Sequence, residues 1–442
     1  MGIPVKDGRK RPGGKEPFSM NVTELIKKID NGGYDGRFAA LYGDGCVPAQ
    51  RQRYGEAARE FLSLYGDLEA SLFSVSGRSE ISGNHTDHNR GCVLAASIDL
   101  DVIAVAAKTD DGVISVKSKG FPEDTVTLSA ASPCPEDHFT SRAIIGGVAA
   151  GFSARGRAVG GFRAYTTSNV FKGSGLSSSA AFEDMIGNIL SHFYNDGKVS
   201  STEIAIVSKY AENEWFGKPC GLMDQIACAN GGFVYIDFKD KEPVIDPLPF
   251  DLTAAGYVLC IVNTGGNHAD LNADYAAVPG EMKAVAAYFG APDLSRVTEE
   301  DLYKNIAALR EKTGDRAILR AHHFFSENRR VKAQRAALAS GDVDKFLRLV
   351  KESGDSSFKY LQNVYTTQNV AEQGLSLALS LSERYLEKAG GVCRVHGGGF
   401  AGTIQAFVPA AAAAGYRDTM NGVFGDGACV ILHIRAEGAV KL

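Results

Sequence analysis

The sequence predicts an α+β fold made of two structural units. The chain has 442 residues, which is more than one hydrophobic core usually serves. Both halves alternate between strand-like and helix-like stretches, a pattern typical of α+β layers. Near residue 246 the helical stretches become longer. We therefore expect one unit over 20–245 and a second over 246–442, preceded by a basic, Gly- and Pro-rich disordered arm over 1–19.

The first unit begins with two helical patterns and continues with strands. Apolar residues at three- and four-residue spacing predict helices over 21–30 and 52–66. Near-alternating Val, Ile and Ala, interrupted by Gly and Asp, predict strands within 72–78, 92–109 and 112–120. The other elements predicted in this unit are helices at 140–154, 180–193 and 201–216 and strands at 161–170 and 231–238.

The second unit begins with a strand predicted at 257–263 and then becomes mainly helical. Its helices are predicted at 274–289, 299–311, 315–339, 343–353 and 371–388. Strands predicted at 391–396, 402–408 and 428–434 close the chain.

The composition indicates an ordinary globular protein, since 44% of the residues are hydrophobic and 22% are charged. A net charge of −5 gives no basic field for nucleic acid or an anionic membrane. No apolar run approaches the length of a membrane span. The eight cysteines are scattered without CxxC pairs, which favours a reducing cytoplasm. We expect small-molecule partners and a monomer or weak oligomer.

The first motif is KGSGLSSSAAFED at 172–184, a Gly/Ser loop between a predicted strand and a predicted helix. The free N–H groups and the positive dipole end of such a helix bind phosphate well. The chain has no GxxxxGK[ST] sequence, so this is not a Walker A loop. A Ser-rich helix cap beside a turn is the competing interpretation.

The second motif, GRSEISGNHTDHNRG at 77–91, gathers Arg, His, Asp and Asn side chains in a loop after a strand. Carboxylate and imidazole groups read vicinal hydroxyls, so a polyhydroxylated ligand fits this cluster. The alternatives are a metal site, although His85, Asp87 and His88 lack a standard zinc spacing, and a solvated loop with Asx-turns.

The third motif, WFGKPCGLMDQIACANGG at 215–232, contains one carboxylate, Asp224, among apolar residues. Such an Asp is paired with a cation or has a perturbed pKa, and Arg78 is the candidate partner. A capping or core-satisfied Asp is the alternative. In the fourth motif, RVHGGGFAGTIQAFV at 394–408, a GxGxxG match precedes a strand pattern rather than a helix. A glycine-rich turn between strands therefore fits better than a dinucleotide fold.

Taken in this order, the four motifs resemble the GHMP kinase superfamily and, within it, the galactokinase family. GSGLSSSAA and GGGFAG are similar to the superfamily's phosphate loop and closing turn. GNHTDHNRG resembles the galactokinase signature GEHTDYNGG, and AENEWFGKPCGLMDQ and VNTGGNHADLNADY resemble two further galactokinase segments. The resemblance covers roughly 68–442. It implies an N-terminal S5-domain-2-like layer, a ferredoxin-like C-terminal domain and an active site between them.

The resemblance also implies roles for individual residues in an ATP-dependent sugar 1-kinase. Asp224 is implied as the catalytic carboxylate, with Arg78 beside it to stabilise charge. Ser179 and Glu212 are implied as Mg²⁺ ligands. The residues implied to line ATP are Gly173, Ser174, Gly175, Leu176, Ser177, Ser178 and Ser179. The residues implied to bind the sugar are Asn84, His85, Asp87, Gly221 and Tyr275.

The chain departs from the galactokinase pattern at Asn84, where the signature has Glu, and at His88, where it has an aromatic residue. Phe171 replaces a usual Pro near the phosphate loop, and the N-terminus is extended. Since the signature Glu helps to hold the C6 hydroxyl in galactokinases, we expect altered selectivity at C6. Galactose is the expected substrate, with galacturonate or N-acetylgalactosamine as alternatives. A catalytically silent sugar sensor is an alternative of another class.

Overall fold

The protein is described by a computed structural model that covers residues 20–171, 175–266 and 271–442. The arm predicted over 1–19 lies outside these ranges. The β-strands are β1 Met20–Asn21, β2 Glu69–Ser82, β3 Cys92–Lys108, β4 Val113–Ser118, β5 Glu123–Thr127, β6 Phe162–Ser168, β7 Phe233–Asp237, β8 Val244–Leu248, β9 Tyr257–Asn263, β10 Val392–Val395, β11 Thr403–Pro409, β12 Cys429–Leu432 and β13 Ala439–Lys441.

The α-helices flank these strands and dominate the second half of the chain. They are α1 Val22–Asp30, α2 Asp35–Tyr42, α3 Val47–Tyr65, α4 Ser141–Ala154, α5 Ser178–Tyr194, α6 Ser201–Tyr210, α7 Met223–Asn230, α8 Asn272–Tyr288, α9 Glu299–Lys304, α10 Ile306–Thr313, α11 Asp315–Ser340, α12 Val343–Ser356, α13 Gly374–Ala389 and α14 Ala413–Phe424. Two π-helical turns, Ala211–Trp215 and Ser357–Leu361, extend α6 and α12.

A large sheet forms the first layer, with strand order β1-β2-β3-β6-β4-β5. Strand β7 pairs with β3, β8 pairs with β7, and β13 returns from the end of the chain to pair with β2. The alternation of small and branched apolar residues along β3 fits a strand that is buried on both faces. Helices α4 and α5 cover one face of this sheet through a core that includes Ile145, Ile186 and Ile189.

The second sheet is antiparallel throughout, with strand order β10-β11-β9-β12. The chain order is strand β9, helices, strands β10 and β11, helix α14 and strand β12, which is a ferredoxin-like arrangement. A shared core of buried residues joins the two sheets, with Leu94 and Phe233 from the first and Leu259 and Phe407 from the second. The predicted α+β class is confirmed.

Most predicted elements are present, and the differences have local causes. Helix 299–311 is divided at Asn305, a residue type that favours helix ends over helix interiors. Helix α14 went unpredicted because the alanine run at 410–414 hides any amphipathic period. Helix α2 and strands β8 and β13 were also unpredicted, being short elements with weak patterns.

The division of the chain near residue 246 stays a prediction. Strand β8 spans that position and belongs to the first sheet, while β13 brings the end of the chain back to the same sheet. Within the described ranges, no helix has the combined length and apolar character that crossing a membrane would demand.

Candidate active site

The site is built around Arg78, which a sheet irregularity directs away from the regular ladder. The pairing of β2 with β3 shifts register between Ser76 and Arg78, and such a bulge turns the side chain that follows it. The guanidinium is 9% exposed. Its Nε donates to Asp224 Oδ1 at 2.8 Å, and its Nη2 lies 2.6 Å from Asp224 Oδ2. The predicted Arg78–Asp224 pair is therefore present.

Asp224 lies in the first turn of α7, where the positive end of the helix dipole favours a carboxylate. The Ser177 hydroxyl also donates to its Oδ2. Burial by itself would raise the pKa of Asp224, but the Arg78 charge and the Ser177 hydrogen bond outweigh burial and hold that pKa below its ordinary value. Because 34% of the side chain is exposed, this ionised carboxylate remains accessible to a ligand.

The predicted phosphate loop meets Arg78 and Asp224 at the start of α5. Gly173 and Ser174 lie outside the described residues. Gly175, with a φ of +71°, accepts a hydrogen bond from Arg78 Nη1 through its carbonyl, and the Leu176 carbonyl accepts from the Arg78 backbone N–H at 3.2 Å. Ser177 stands before the helix in a left-handed conformation, with φ and ψ both 57°. The first N–H groups of α5 consequently face this junction.

A cavity of about 590 Å³ opens beside the start of α5. Ser178 and Ser179 line its floor, and Glu183 lies one turn further along the same helix. Six apolar or aromatic side chains line the cavity, together with seven serine and threonine side chains and one lysine. They include Val102, Lys119, Phe121, Ile144, Thr166, Phe182 and Phe216. Sequence reasoning did not find this cavity, because its walls come from separate elements that show no common motif.

Two buried carboxylates, Glu212 and Glu183, face each other across the Gln225 amide. Gln225 Nε2 donates to Glu212 Oε2 at 2.9 Å and to Glu183 Oε2 at 3.0 Å. Lys218 Nζ donates to Glu212 Oε1 at 2.8 Å. Burial raises the pKa of Glu183 well above its ordinary value, and the nearby Glu212 charge adds to the rise. Glu183 Oε1 has no hydrogen-bond partner among the described residues.

Glu183 was missed at the sequence level although a signal was available. Ser179 and Glu183 are four residues apart, so they share one face of α5. Mg²⁺ takes few protein ligands and completes its coordination with oxygens of water or phosphate. The donors here suit it, since an unpaired carboxylate oxygen lies near a second carboxylate and on the same helix face as a serine hydroxyl. The residues present therefore fit a Mg²⁺ ion. The described ranges contain no group of three or more His, Cys, Asp or Glu side chains that could hold a metal.

The predicted sugar loop follows β2 and lies against the glycine turn at 396–402. His85 Nε2 is 2.9 Å from the Gly398 carbonyl oxygen, and Tyr275 Oη donates to the Gly399 carbonyl at 2.7 Å. A Cβ placed on Gly221 would approach Asp87 Oδ2 to 3.0 Å. The structure therefore brings together His85 and Asp87 of the sugar loop, Gly221 and Tyr275, which come from three separate segments. Burial lowers the pKa of His85.

Asn84 lies deeper in the same loop, with 1% of its surface exposed. Its Nδ2 donates to the Gly397 carbonyl at 2.7 Å and to Glu80 Oε1 at 3.2 Å. Its Oδ1 accepts from Asn363 Nδ2 at 2.7 Å. These contacts tie the loop to the glycine turn. Neither Glu80 nor Asn363 was singled out from the sequence, because nothing local distinguishes them from ordinary strand and loop residues.

Behind this loop lies a buried charge network that sequence reasoning also missed. His323 Nε2 is 3.0 Å from the Asn84 carbonyl oxygen, and burial lowers the pKa of His323 to about 4. Glu327 Oε1 accepts from the Gly83 N–H at 2.9 Å, and Arg330 donates to Glu327 Oε2. Burial would raise the pKa of Glu327, but its cationic neighbours lower that pKa to about 2. Helix α11 thus anchors the loop from the second half of the chain.

Comparison with known proteins identifies the family. The family described as GHMP kinases N terminal domain matches residues 143–232, and the galactokinase galactose-binding signature matches residues 59–108. The chain is 31% identical over 357 residues to a galactokinase of Actinobacillus pleuropneumoniae serotype 5b, covering 80% of this chain and 89% of that relative. It is 29% identical over 362 residues to a galactokinase of Streptomyces coelicolor, covering 81% and 89%.

Among solved structures, a Lactococcus lactis galactokinase complexed with galactose superposes with a TM-score of 0.72 at 23% identity, covering 87% of this chain and 98% of that one. This likeness confirms the predicted two-domain α+β fold. Together with the family matches and the 31% identity across most of both chains, it leads to one assignment. The chain belongs to the galactokinase family of GHMP kinases.

Proposed function

We propose that this protein transfers the γ-phosphoryl group of ATP to the 1-hydroxyl of galactose. The observation that carries the proposal is the junction of Arg78, Asp224 and Ser177 at the start of α5. It places a carboxylate, a guanidinium and the free N–H groups of a helix within one small region. Phosphoryl transfer needs this combination, because most of its catalysis is alignment and charge neutralisation. The galactokinase relatives support the same reaction.

Asp224 orients the attacking hydroxyl and accepts its proton. Since the pKa of Asp224 is held below its ordinary value, the carboxylate is ionised at neutral pH and is a weak base. A weak base suits this reaction, because the hydroxyl becomes strongly acidic only after bond formation has advanced in a loose transition state. Arg78 stabilises the carboxylate before transfer and faces the charge that moves onto the transferred group.

The cavity beside α5 is the proposed nucleotide site. The phosphates would face the N–H groups of the first helical turn and the hydroxyls of Ser177, Ser178 and Ser179. The dipole of α5 favours the negative charge of the phosphates. Gly173, Ser174, Gly175 and Leu176 complete the loop in this proposal. The aromatic walls supplied by Phe121, Phe182 and Phe216 suit a purine base.

We further propose that Ser179 and Glu212 hold Mg²⁺, with Glu183 as an additional carboxylate. Bound there, the ion would neutralise phosphate charge. Gln225 and Lys218 fix the orientation of the two carboxylates, which keeps their oxygens in place before any ligand arrives. The unpaired Glu183 oxygen supports this assignment.

The proposed sugar-binding residues are Asn84, His85, Asp87, Gly221 and Tyr275. Hydrogen bonds to the carbonyls of the 397–399 turn fix the orientation of His85 and Tyr275, and imidazole and phenol groups both form hydrogen bonds with sugar hydroxyls. The absence of a side chain at Gly221 leaves room beside Asp87. Gly221, which lies beside Asp87, is three residues before Asp224 in the chain, and this proximity would place the 1-hydroxyl near the carboxylate.

The decisive experiment measures ADP release with galactose, galacturonate, N-acetylgalactosamine, glucose and arabinose at a fixed ATP concentration. Turnover with galactose well above the other sugars is the expected result. Preference for galacturonate or N-acetylgalactosamine would replace galactose with that alternative. A folded protein that binds galactose in calorimetry but releases no ADP with any sugar would instead identify a silent sensor.

We also propose a cytoplasmic location. All eight cysteines are free thiols, and five of them are buried in the core. A reducing compartment suits such a set. Fractionation of the host cell, followed by thiol counting under denaturing conditions, tests this proposal. Fewer than eight titratable thiols in freshly isolated protein would contradict it.

A further inference from the structure

Glu80 is a buried carboxylate that none of the assigned roles uses. It lies on β2 two residues after Arg78, so both side chains point from the same face of the strand. Only 7% of Glu80 is exposed. One carboxylate oxygen, Oε1, accepts the Asn84 Nδ2 hydrogen bond at 3.2 Å. No hydrogen bond to the other oxygen, Oε2, is found among the described residues.

Three charged groups face Glu80, while the neighbouring strands β3 and β11 contribute the uncharged residues Ala95 and Gln405. Arg394 approaches from β10, Asp87 from the sugar loop and Arg78 from its own strand, while Asn84 supplies the hydrogen bond. Burial raises the pKa of Glu80 to about 7, Asp87 adds to the rise, and the two arginines oppose it. A carboxylate is costly to bury without a full set of partners. A ligand hydroxyl that donates to Oε2 would complete that set.

We propose that Glu80 is a sugar-binding residue whose free Oε2 accepts a hydrogen bond from a galactose hydroxyl while Asn84 holds Oε1. The inference rests on the proposed function, because it assigns the sugar to the region of Asp87 and Asp224. In this proposal, Glu80 accepts the sugar hydrogen bond that a Glu at position 84 would accept in the galactokinase signature. The amide of Asn84 is directed at the Gly397 carbonyl and at Glu80, so it acts as the support for the carboxylate.

The consequence is selectivity for neutral sugars. Asp87 is close enough to Glu80 to raise its pKa, so a sugar carboxylate bound beside Glu80 would be repelled by both groups. A hydroxyl, in contrast, donates to the free oxygen. Replacement of Glu by Asn at position 84 therefore does not remove the negative charge from this part of the site.

The test combines Glu80→Gln with deletion of single hydroxyls on the substrate. Values of kcat/KM are measured for wild type and Glu80→Gln with galactose and with its 2-, 3-, 4- and 6-deoxy derivatives. Glu80→Gln should lower kcat/KM for galactose about 10- to 100-fold, the effect of losing one charge-assisted hydrogen bond. One of the four deoxy sugars lacks the hydroxyl that Glu80 binds. For that sugar, Glu80→Gln should change kcat/KM little, because the hydrogen bond is already absent in the wild type. If Glu80→Gln lowers kcat/KM by the same factor for galactose and for all four deoxy sugars, the proposal is overturned.

Glu437→Gln is the matched control, since it makes the same chemical change in a carboxylate that pairs with Arg37 away from the site. The KM for ATP should stay within about twofold in both variants, because their carboxylates are outside the nucleotide cavity. A loss of ATP affinity in Glu80→Gln that matches its loss with galactose would identify a structural role and contradict the proposal.

A second measurement needs no variant and does not depend on turnover. Calorimetric galactose affinity of the wild-type protein should weaken as pH falls through about 7, as Glu80 gains a proton. The affinity for the deoxy sugar that lacks the hydroxyl bound by Glu80 should change less over the same pH range. If galactose binds without ADP release, the proposed function fails while this proposal is still tested. Identical pH profiles for galactose and every deoxy sugar would overturn the assignment of Glu80.

Discussion

We expect replacement of Asp224 by Ala to separate catalysis from nucleotide binding. The carboxylate accepts hydrogen bonds from Arg78 and from Ser177 of the proposed phosphate loop. Among the described residues, no hydrogen bond links it to the other side chains that line the proposed nucleotide cavity. Loss of a positioned proton acceptor costs about 10² to 10⁴ in rate. We therefore expect kcat to fall by that factor, whereas the Kd for ATP should change less than about threefold.

The same substitution also has a stability cost that can be worked from the structure. Removal of one partner from a fully buried ion pair costs about 3–5 kcal/mol, because it leaves a charge without compensation. Arg78 is 9% exposed, but Asp224 is 34% exposed, so solvent can reach the guanidinium once the carboxylate is gone. We expect a discounted loss of about 1–3 kcal/mol in the free energy of unfolding.

The assay couples ADP release to NADH oxidation, with ATP affinity measured by calorimetry and stability by urea unfolding. Asp196→Asn is the control, because the Asp196 and Lys198 side chains of that surface pair are 81% and 76% exposed. It should leave all three quantities unchanged within error. An Asp224→Ala variant with near wild-type kcat would remove Asp224 from the mechanism. Loss of rate with an equal loss of ATP affinity would assign it a structural role instead.

Further predictions concern the carboxylates and glycines around the site. Asn84→Glu should lower the free energy of unfolding by about 1–3 kcal/mol, because it sets a second carboxylate against Glu80 and the Gly397 carbonyl; the double variant with Glu80→Asn should recover part of that loss in urea unfolding. The pKa of Glu80 rises from 4.5 to about 7 on folding, so its contribution to stability falls as pH rises across that interval. Glu80→Gln should therefore weaken the pH dependence of urea unfolding between pH 4.5 and 7, and an unchanged slope would argue against the raised pKa. Glu183→Gln should raise the Mg²⁺ concentration for half-maximal rate about tenfold, and an unaltered Mg²⁺ titration would remove it from the metal site. Gly399→Ala should destabilise the fold by at least about 2 kcal/mol more than Gly397→Ala. Both glycines have positive φ, but of the two only a Cβ at 399 would clash with another atom, the Asn363 backbone carbonyl oxygen, so equal losses would contradict this geometry.

Local sequence patterns were sufficient to predict parts of the site where the chemistry of a residue type allows one main role. The Gly/Ser loop between a strand and a helix predicted the junction at Gly175–Ser179, and a single Asp among apolar residues predicted that Asp224 needs a cation. The glycine cluster at 397–402 was correctly read as a turn between strands, because the residues that follow it alternate like a strand. These inferences depend only on neighbours in the chain.

Patterns failed where the partners are distant in sequence. Glu183 became a metal-ligand candidate only when Gln225 was found between it and Glu212. The proposed nucleotide cavity is lined by the start of α5 and by residues of the first sheet, α4 and several loops, so no segment outside the Gly/Ser motif carries its signature. Short elements such as α2, β8 and β13 depend on tertiary packing, which periodicity does not record.

The sequence by itself determined the α+β class, the order of the four motifs and the likeness to galactokinases, because each depends on residue type and spacing along the chain. Only the tertiary structure decided what Asn84 does. Position 84 is where the sequence departs from the galactokinase signature. The Asn84 amide donates to the Gly397 carbonyl and to Glu80, a carboxylate that lies on β2 four residues earlier in the chain. Hydrogen bonding between side chains is set by their distance and direction in space, which the sequence does not list.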